Sequence, residues 1–209
     1  RASGESLLRA NLGQIFYLRD RKVRLSPLDA PLDESSSEIA GDISLTPGGN
    51  INLRTSLVYD PHSERMNSGH FVASYSPDQQ TVFNLGYSFR RPLTTLFEQP
   101  VTEEAHVSAY FPLDNNWRFF AAMNYSMEAN TSVEDMVGVE YDTCCWKVRL
   151  LHLRYYENIS GQIPDFDNPD LEREHSTQFQ IVLKGMGGFG NRITNIMEDM
   201  IRGFKDSDY

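Results

Sequence analysis

Residues 81–90 read Thr-Val-Phe-Asn-Leu-Gly-Tyr-Ser-Phe-Arg. Thr81, Phe83, Leu85, Tyr87 and Phe89 fall on one parity, and Val82, Asn84, Gly86, Ser88 and Arg90 fall on the other. Side chains of an extended chain point to opposite faces in turn, so this stretch reads as a strand with one apolar and one mostly polar face. The same alternation runs through Ile51, Leu53, Thr55, Leu57 and Tyr59, and through Trp117, Phe119, Ala121, Met123 and Tyr125. Near the end, Thr177, Phe179, Ile181 and Leu183 face away from Gln178, Gln180 and Lys184.

Taken together, the alternating runs predict about ten strands, at 5–18, 37–46, 51–60, 67–76, 81–91, 104–112, 117–127, 132–142, 146–156 and 175–186. Parity blurs in 146–156, where Trp146, Val148 and Leu150 lead and Leu151, Leu153 and Tyr155 follow; a β-bulge is expected there. No helical stripe interrupts the series, so the fold class is an all-β antiparallel meander.

The connections alternate in length. Tight turns are expected at 47–50, 77–80, 113–116 and 142–145, rich in Pro, Gly, Asp and Asn. Long links at 19–36, 92–103 and 157–174 and moderate ones at 61–66 and 128–131 fall between them. Short turns at one end and long loops at the other is the layout of a transmembrane β-barrel. A strand of about ten residues tilted near 45° rises roughly 25 Å, the height of an outer membrane's apolar band. Tyr75, Phe111, Trp117, Tyr141 and Trp146 lie beside the short turns, and Tyr59, Phe89 and Tyr125 lie at the opposite strand ends. Two aromatic girdles point the same way. A soluble β-barrel lipid carrier is the competing architecture.

Composition narrows the functions. The net charge of -10 argues against a nucleic-acid surface, and no apolar run reaches the roughly 20 residues of a spanning helix. His62, His70, His106, His152 and His175 are scattered without metal-ligand spacing, so neither a metal site, a cofactor nor an enzymatic activity is expected. The acidic residues Asp29, Asp33 and Glu34, and Asp165, Asp167, Asp170, Glu172 and Glu174, fit either cation binding at a phosphate-rich surface or solvated loops. Arg90 and Arg91 stand where lipid phosphates would lie. The opening Arg-Ala-Ser-Gly-Glu-Ser shows neither an initiator Met nor a signal segment, so the chain is expected to be the C-terminal piece of something longer.

Cys144 and Cys145 are the only cysteines. Adjacent cysteines bond to each other only through a strained ring. Either both are free thiols, or their partners sit on other polypeptide. A final strand that ends in the periplasm puts their turn in that compartment, where disulfides persist.

The run Tyr-Asp-Thr-Cys-Cys-Trp-Lys-Val-Arg (141–149) resembles the LptD family of LPS-assembly proteins, as does Gln-Phe-Gln-Ile-Val-Leu-Lys-Gly-Met-Gly-Gly-Phe-Gly (178–190). The resemblance implies that residues 1–186 are the C-terminal strands of a barrel of about 26 strands, preceded by a periplasmic jellyroll. Residues 187–209 would be a periplasmic C-terminal tail. Within it, Ile193, Ile196, Met197, Met200 and Ile201 are spaced for an amphipathic helix on the rim or inside the lumen; a disordered tail is the alternative.

By the same resemblance, Cys144 and Cys145 pair with cysteines of an N-terminal part. The strand carrying Thr177, Phe179, Ile181 and Leu183 forms one lip of a lateral gate through which lipopolysaccharide enters the outer leaflet. Implied partners are lipopolysaccharide, an LptE-like lipoprotein plug and an LptA-like periplasmic bridge, at the outer membrane of a Gram-negative cell. A stand-alone barrel of the porin or adhesin type is the second expectation.

Overall fold

The alternation at 81–90 becomes one strand of a ten-stranded sheet in a computed structural model, which describes residues 6–19, 35–91, 101–156, 172–185 and 192–206. The strands are β1 (Leu8–Gly13), β2 (Ile39–Leu45), β3 (Ile51–Asp60), β4 (Arg65–Asp78), β5 (Thr81–Arg90), β6 (Thr102–Pro112), β7 (Trp117–Ser126), β8 (Thr131–Asp142), β9 (Trp146–Tyr156) and β10 (Arg173–Leu183). They are hydrogen-bonded in chain order and every neighbour is antiparallel, as the meander predicts. A single helix, α1 (Arg192–Met200), follows β10.

Local chemistry sets the strand ends. Asp78 accepts the backbone N–H of Gln80 and the Thr81 hydroxyl, closing the β4–β5 turn. Asp114 accepts the N–H groups of Asn116 and Trp117, both at 2.8 Å, in the β6–β7 turn. Those two bonds hold its carboxyl below the usual carboxylate range. The first strand stops at Gly13 instead of running to 18. There the Ser37 hydroxyl takes the Ile15 N–H, the Gln14 side chain takes the Ser37 carbonyl, and only an isolated bridge between Phe16 and Ser36 follows.

The bulge expected in 146–156 is absent. β9 pairs with β8 and with β10 in unbroken register. Its parity blurs because apolar residues lead on the outer face and then follow on the inner one. Trp146 and Leu150 are exposed on the outer face, whereas Leu151 and Leu153 are buried on the inner face under α1. Register does shift elsewhere, at Val58/Tyr59, Tyr75/Asp78 and Asn124/Tyr125.

The core lies on the inner face. Val82, Tyr110, Phe120, Ala122, Met136, Leu151 and Leu153 pack against Ile193, Met197, Met200, Ile201 and Phe204. Nine residues are too few for a helix to hold its shape alone, so burial of this apolar stripe is what keeps α1 folded. Gly138 makes one close packing possible. It sits opposite Phe120, and a Cβ there would lie 2.3 Å from the Phe120 ring and 2.5 Å from the Leu150 carbonyl oxygen.

The outer face has no such cover. Leu85, Val107, Met123, Val137, Leu150 and Phe179 stand exposed on it. Near the short turns it carries rings in contact. Tyr75, Phe83, Phe111 and Phe119 form one run, with centroids 5.5–6.5 Å apart. Trp117, Tyr141 and Trp146 form another, at 4.8 and 5.3 Å.

Candidate functional site: the cysteine turn, the last strand and the tail

Thr143 closes the β8–β9 turn. Its N–H and hydroxyl both reach the Trp146 carbonyl (3.0 and 2.8 Å), and Trp146 N–H returns to the Thr143 oxygen at 3.3 Å. Cys144 and Cys145 are thereby left exposed at the tip, as free thiols with Sγ atoms 2.7 Å apart. The hydrogen bond to Cys144 and its charge push the Cys145 thiol up, against the pull of Lys184.

The turn is joined to the end of β10. Lys184 N–H donates to the Cys145 carbonyl at 3.0 Å, and its ammonium lies 2.5 Å from Asp142. Sequence spacing separates Cys145 from Lys184, and the register Leu183↔Trp146 unites them. On β10, Thr177, Phe179, Ile181 and Leu183 are all exposed on the outer face. Gln180 turns inward, buried, and accepts from Arg149 at 3.3 Å. Among the described residues β10 has one neighbour, β9.

Behind the turn, on the inner face, lies a buried ionic network. Arg149 has no exposed side-chain surface and donates to Glu140 (2.6 Å), Asp206 (2.7 Å) and the Thr194 hydroxyl (2.7 Å). Lys147 reaches Asp206 at 2.8 Å, and Tyr110 donates to Glu140 at 3.1 Å. Buried charge is tolerated only when paired and hydrogen-bonded, and here four elements supply the partners. Gly203, at φ +84°, turns the chain after α1 so that Phe204 meets Tyr110 edge-on at 4.9 Å and Asp206 reaches the arginine. Burial raises the Asp206 carboxyl, but Arg149 and Lys147 outweigh it and hold the group below its ordinary value.

Half of this network was readable from the sequence. Period two puts Glu140, Lys147 and Arg149 on the inner parity, and hairpin register sets Glu140 opposite Arg149. Asp206 carried no such signal. Of the inner polar residues, Asn84 donates to Ser108 and to the Arg202 carbonyl, so it too holds the tail. His152 and His175, distant in sequence, have ring centroids 5.8 Å apart on neighbouring strands. Among the described residues, no three His, Cys, Asp or Glu side chains group to hold a metal ion. Asp29, Asp33, Glu34, Asp165, Asp167 and Asp170 lie outside the described residues, and Arg90, Arg91, Glu172 and Glu174 are exposed.

An antiparallel meander with an apolar, ring-girdled outer wall and a packed, partly ionic inner face is a segment of an outer-membrane β-barrel. The chain belongs to the LPS transport system D (LptD) family, whose model matches residues 1–117. It is 31% identical to the LPS-assembly protein LptD of Nitrosococcus oceani over 202 residues, 97% of this chain and 25% of that protein. It is 31% identical to LptD of Saccharophagus degradans over 99% of this chain and 24% of that protein. For LptD of Acinetobacter baumannii the identity is 26%, over 96% and 24%. The chain therefore spans about a quarter of the length of the curated relatives it matches.

Proposed function

We propose that this chain is the C-terminal part of the barrel of an outer-membrane protein that places lipopolysaccharide in the outer leaflet. β10 is one lip of a lateral gate, with Thr177, Phe179, Ile181 and Leu183 meeting acyl chains. Cys144 and Cys145 are the barrel-side halves of two disulfides to an N-terminal part. An LptE-like lipoprotein occupies the lumen, and an LptA-like bridge delivers lipopolysaccharide from the periplasm. The function is transport without a catalytic step. Residues 187–209 are a periplasmic C-terminal tail, and its described part, 192–206, packs on the inner face of the sheet.

One observation carries the reading: an exposed cysteine pair whose turn is hydrogen-bonded to the end of the last strand. A bond that fixes the turn also fixes the lower end of β10, leaving its upper part free to part from a neighbour. In the full-length protein, a covalent lock between position 177 and the facing first strand is expected to stop lipopolysaccharide export. Normal export through a verified lock would overturn the gate. Replacing Cys144 and Cys145 together by Ser should abolish the mobility difference between reduced and non-reduced protein on gels. The stand-alone porin or adhesin reading has no observation in its favour.

A further inference from the structure

The outer face of β8–β10 changes character toward the long links. Asp135, Arg154 and His175 stand opposite one another across three strands, and His152 and Thr177 form the next pair down. Arg154 lies 2.7 Å from Asp135 and Arg173 lies 3.8 Å from it, so two guanidinium groups share this carboxylate, and Arg173 also donates to the Thr131 hydroxyl and the Ser132 carbonyl. The Arg154 side chain is 45% exposed and that of Arg173 is 26% exposed. Arg173 also lies over the Tyr156 ring, 5.0 Å from its centroid.

Directly below is a groove of about 550 Å³. Its floor is Ala109 opposite Ala121, in register with Val137 and His152, and Val107 and Met123 stand in the next row with Asp135 and Arg154. Two small side chains facing each other leave a hollow in a wall otherwise built of large ones. Arg154 stands two residues from the end of β9, at the level where a strand leaves the apolar band.

We infer that this wall is a binding site for a phosphate-bearing acyl lipid of the outer leaflet. Arg154 and Arg173 take the phosphate, and the hollow over Ala109 and Ala121 takes an acyl chain. Guanidinium forks match phosphate oxygens, and here two of them stand beside an apolar slot. A free anion would use the arginines and leave the groove empty; a neutral lipid would do the reverse. The site rests on the wall facing lipid; Arg173 lies on β10, but Arg154 and the hollow lie on β6–β9, so Ala121→Phe tests the site apart from the gate.

The test uses the full-length protein and native mass spectrometry, with diphosphoryl lipid A, its dephosphorylated counterpart and inorganic phosphate as probes. Loss of two charge-assisted contacts in the Arg154→Gln/Arg173→Gln double variant should cut retained diphosphoryl lipid A about tenfold or more. Arg154→Lys/Arg173→Lys should keep most of it. Ala121→Phe, which fills the hollow and leaves the charges in place, should reduce retention several-fold. Heat-modifiable migration on gels checks barrel closure; if the Gln variant does not close, Ala121→Phe and the two lipids carry the test. Wild-type retention in the Gln or the Ala121→Phe variant would overturn the site. So would equal retention of the dephosphorylated lipid, or displacement by an equal concentration of inorganic phosphate.

Discussion

Leu150 and Leu151 are consecutive residues of β9, yet Leu150 is 47% exposed on the outer face and Leu151 is fully buried under α1. Both faces of β9 carry apolar residues, but they are covered differently. The outer face is finished by lipid, a solvent that fills any shape. The inner face is finished by fourteen residues of the chain's own tail, 192 to 205, with Asp206 pinning the end. A face covered by protein is sensitive to shape and to charge pairing. A face covered by lipid is sensitive mainly to polarity.

The sharpest way to break that contrast is at Arg149. Replacing it by Met removes a side chain that contacts Glu140, Gln180, Thr194 and Asp206 together, and leaves Asp206 to Lys147 and Glu140 to Tyr110, Arg118 and Lys147. Breaking a buried pair from one side costs about 3–5 kcal/mol when the remaining charge has no other partner, and the cationic partners that stay here set the loss toward or below the lower end. The expected outcome, in hydrogen exchange of the full-length protein, is loss of protection throughout 192–206 with the outer-wall strands still protected. Retained protection of the tail would show that apolar packing, with Lys147 and Asn84, holds it without Arg149.

Next in size comes the leucine pair itself. Leu151→Ala leaves a cavity that the core closes only in part, a cost of about 2–5 kcal/mol. Leu150→Ala leaves space that acyl chains fill, so no cavity term applies and the loss should be less than half as large. Denaturant unfolding of the two variants in the same lipid compares them directly, and equal losses would mean that the outer wall is packed against protein.

The same contrast explains what was legible in the sequence. All ten strands are announced by period two, because lipid on one side imposes an unbroken apolar parity. The misreading came at β9, where Leu151, Leu153 and Tyr155 looked like a slip of register. Their cover is a helix some forty residues downstream, and alternation holds no record of a partner so far along the chain. The cysteine turn was visible from its residue types and position. The Asp206 contact to Arg149, 57 residues apart, was not. Nor was the need for Gly at 138, which appears only once register sets it against Phe120. Gly138→Ala forces the Phe120 ring or the β9 backbone to move, and overpacking of this kind costs about 1–3 kcal/mol. A thermal melt monitored in the aromatic near-ultraviolet region should register it, and an unchanged melt would mean that the ring has room to swing aside.

The smallest effect, and the one most specific to the inner face, is its response to pH. Arg149 and Lys147 hold the Asp206 carboxyl below its ordinary value, so the folded state binds its proton less readily than the undocked tail does. Its contribution to docking is therefore complete above the ordinary carboxylate range and is lost as pH falls through the depressed folded value. Protonation removes a charge but leaves a hydrogen-bonding acid in place, which is why the loss should be milder than removing Arg149. Tail protection in hydrogen exchange should be flat from neutral pH down to about pH 5, then decline in acid. Asp206→Asn should lower the neutral plateau and flatten the decline. A decline of equal steepness in that variant would assign the acid sensitivity to a group other than Asp206.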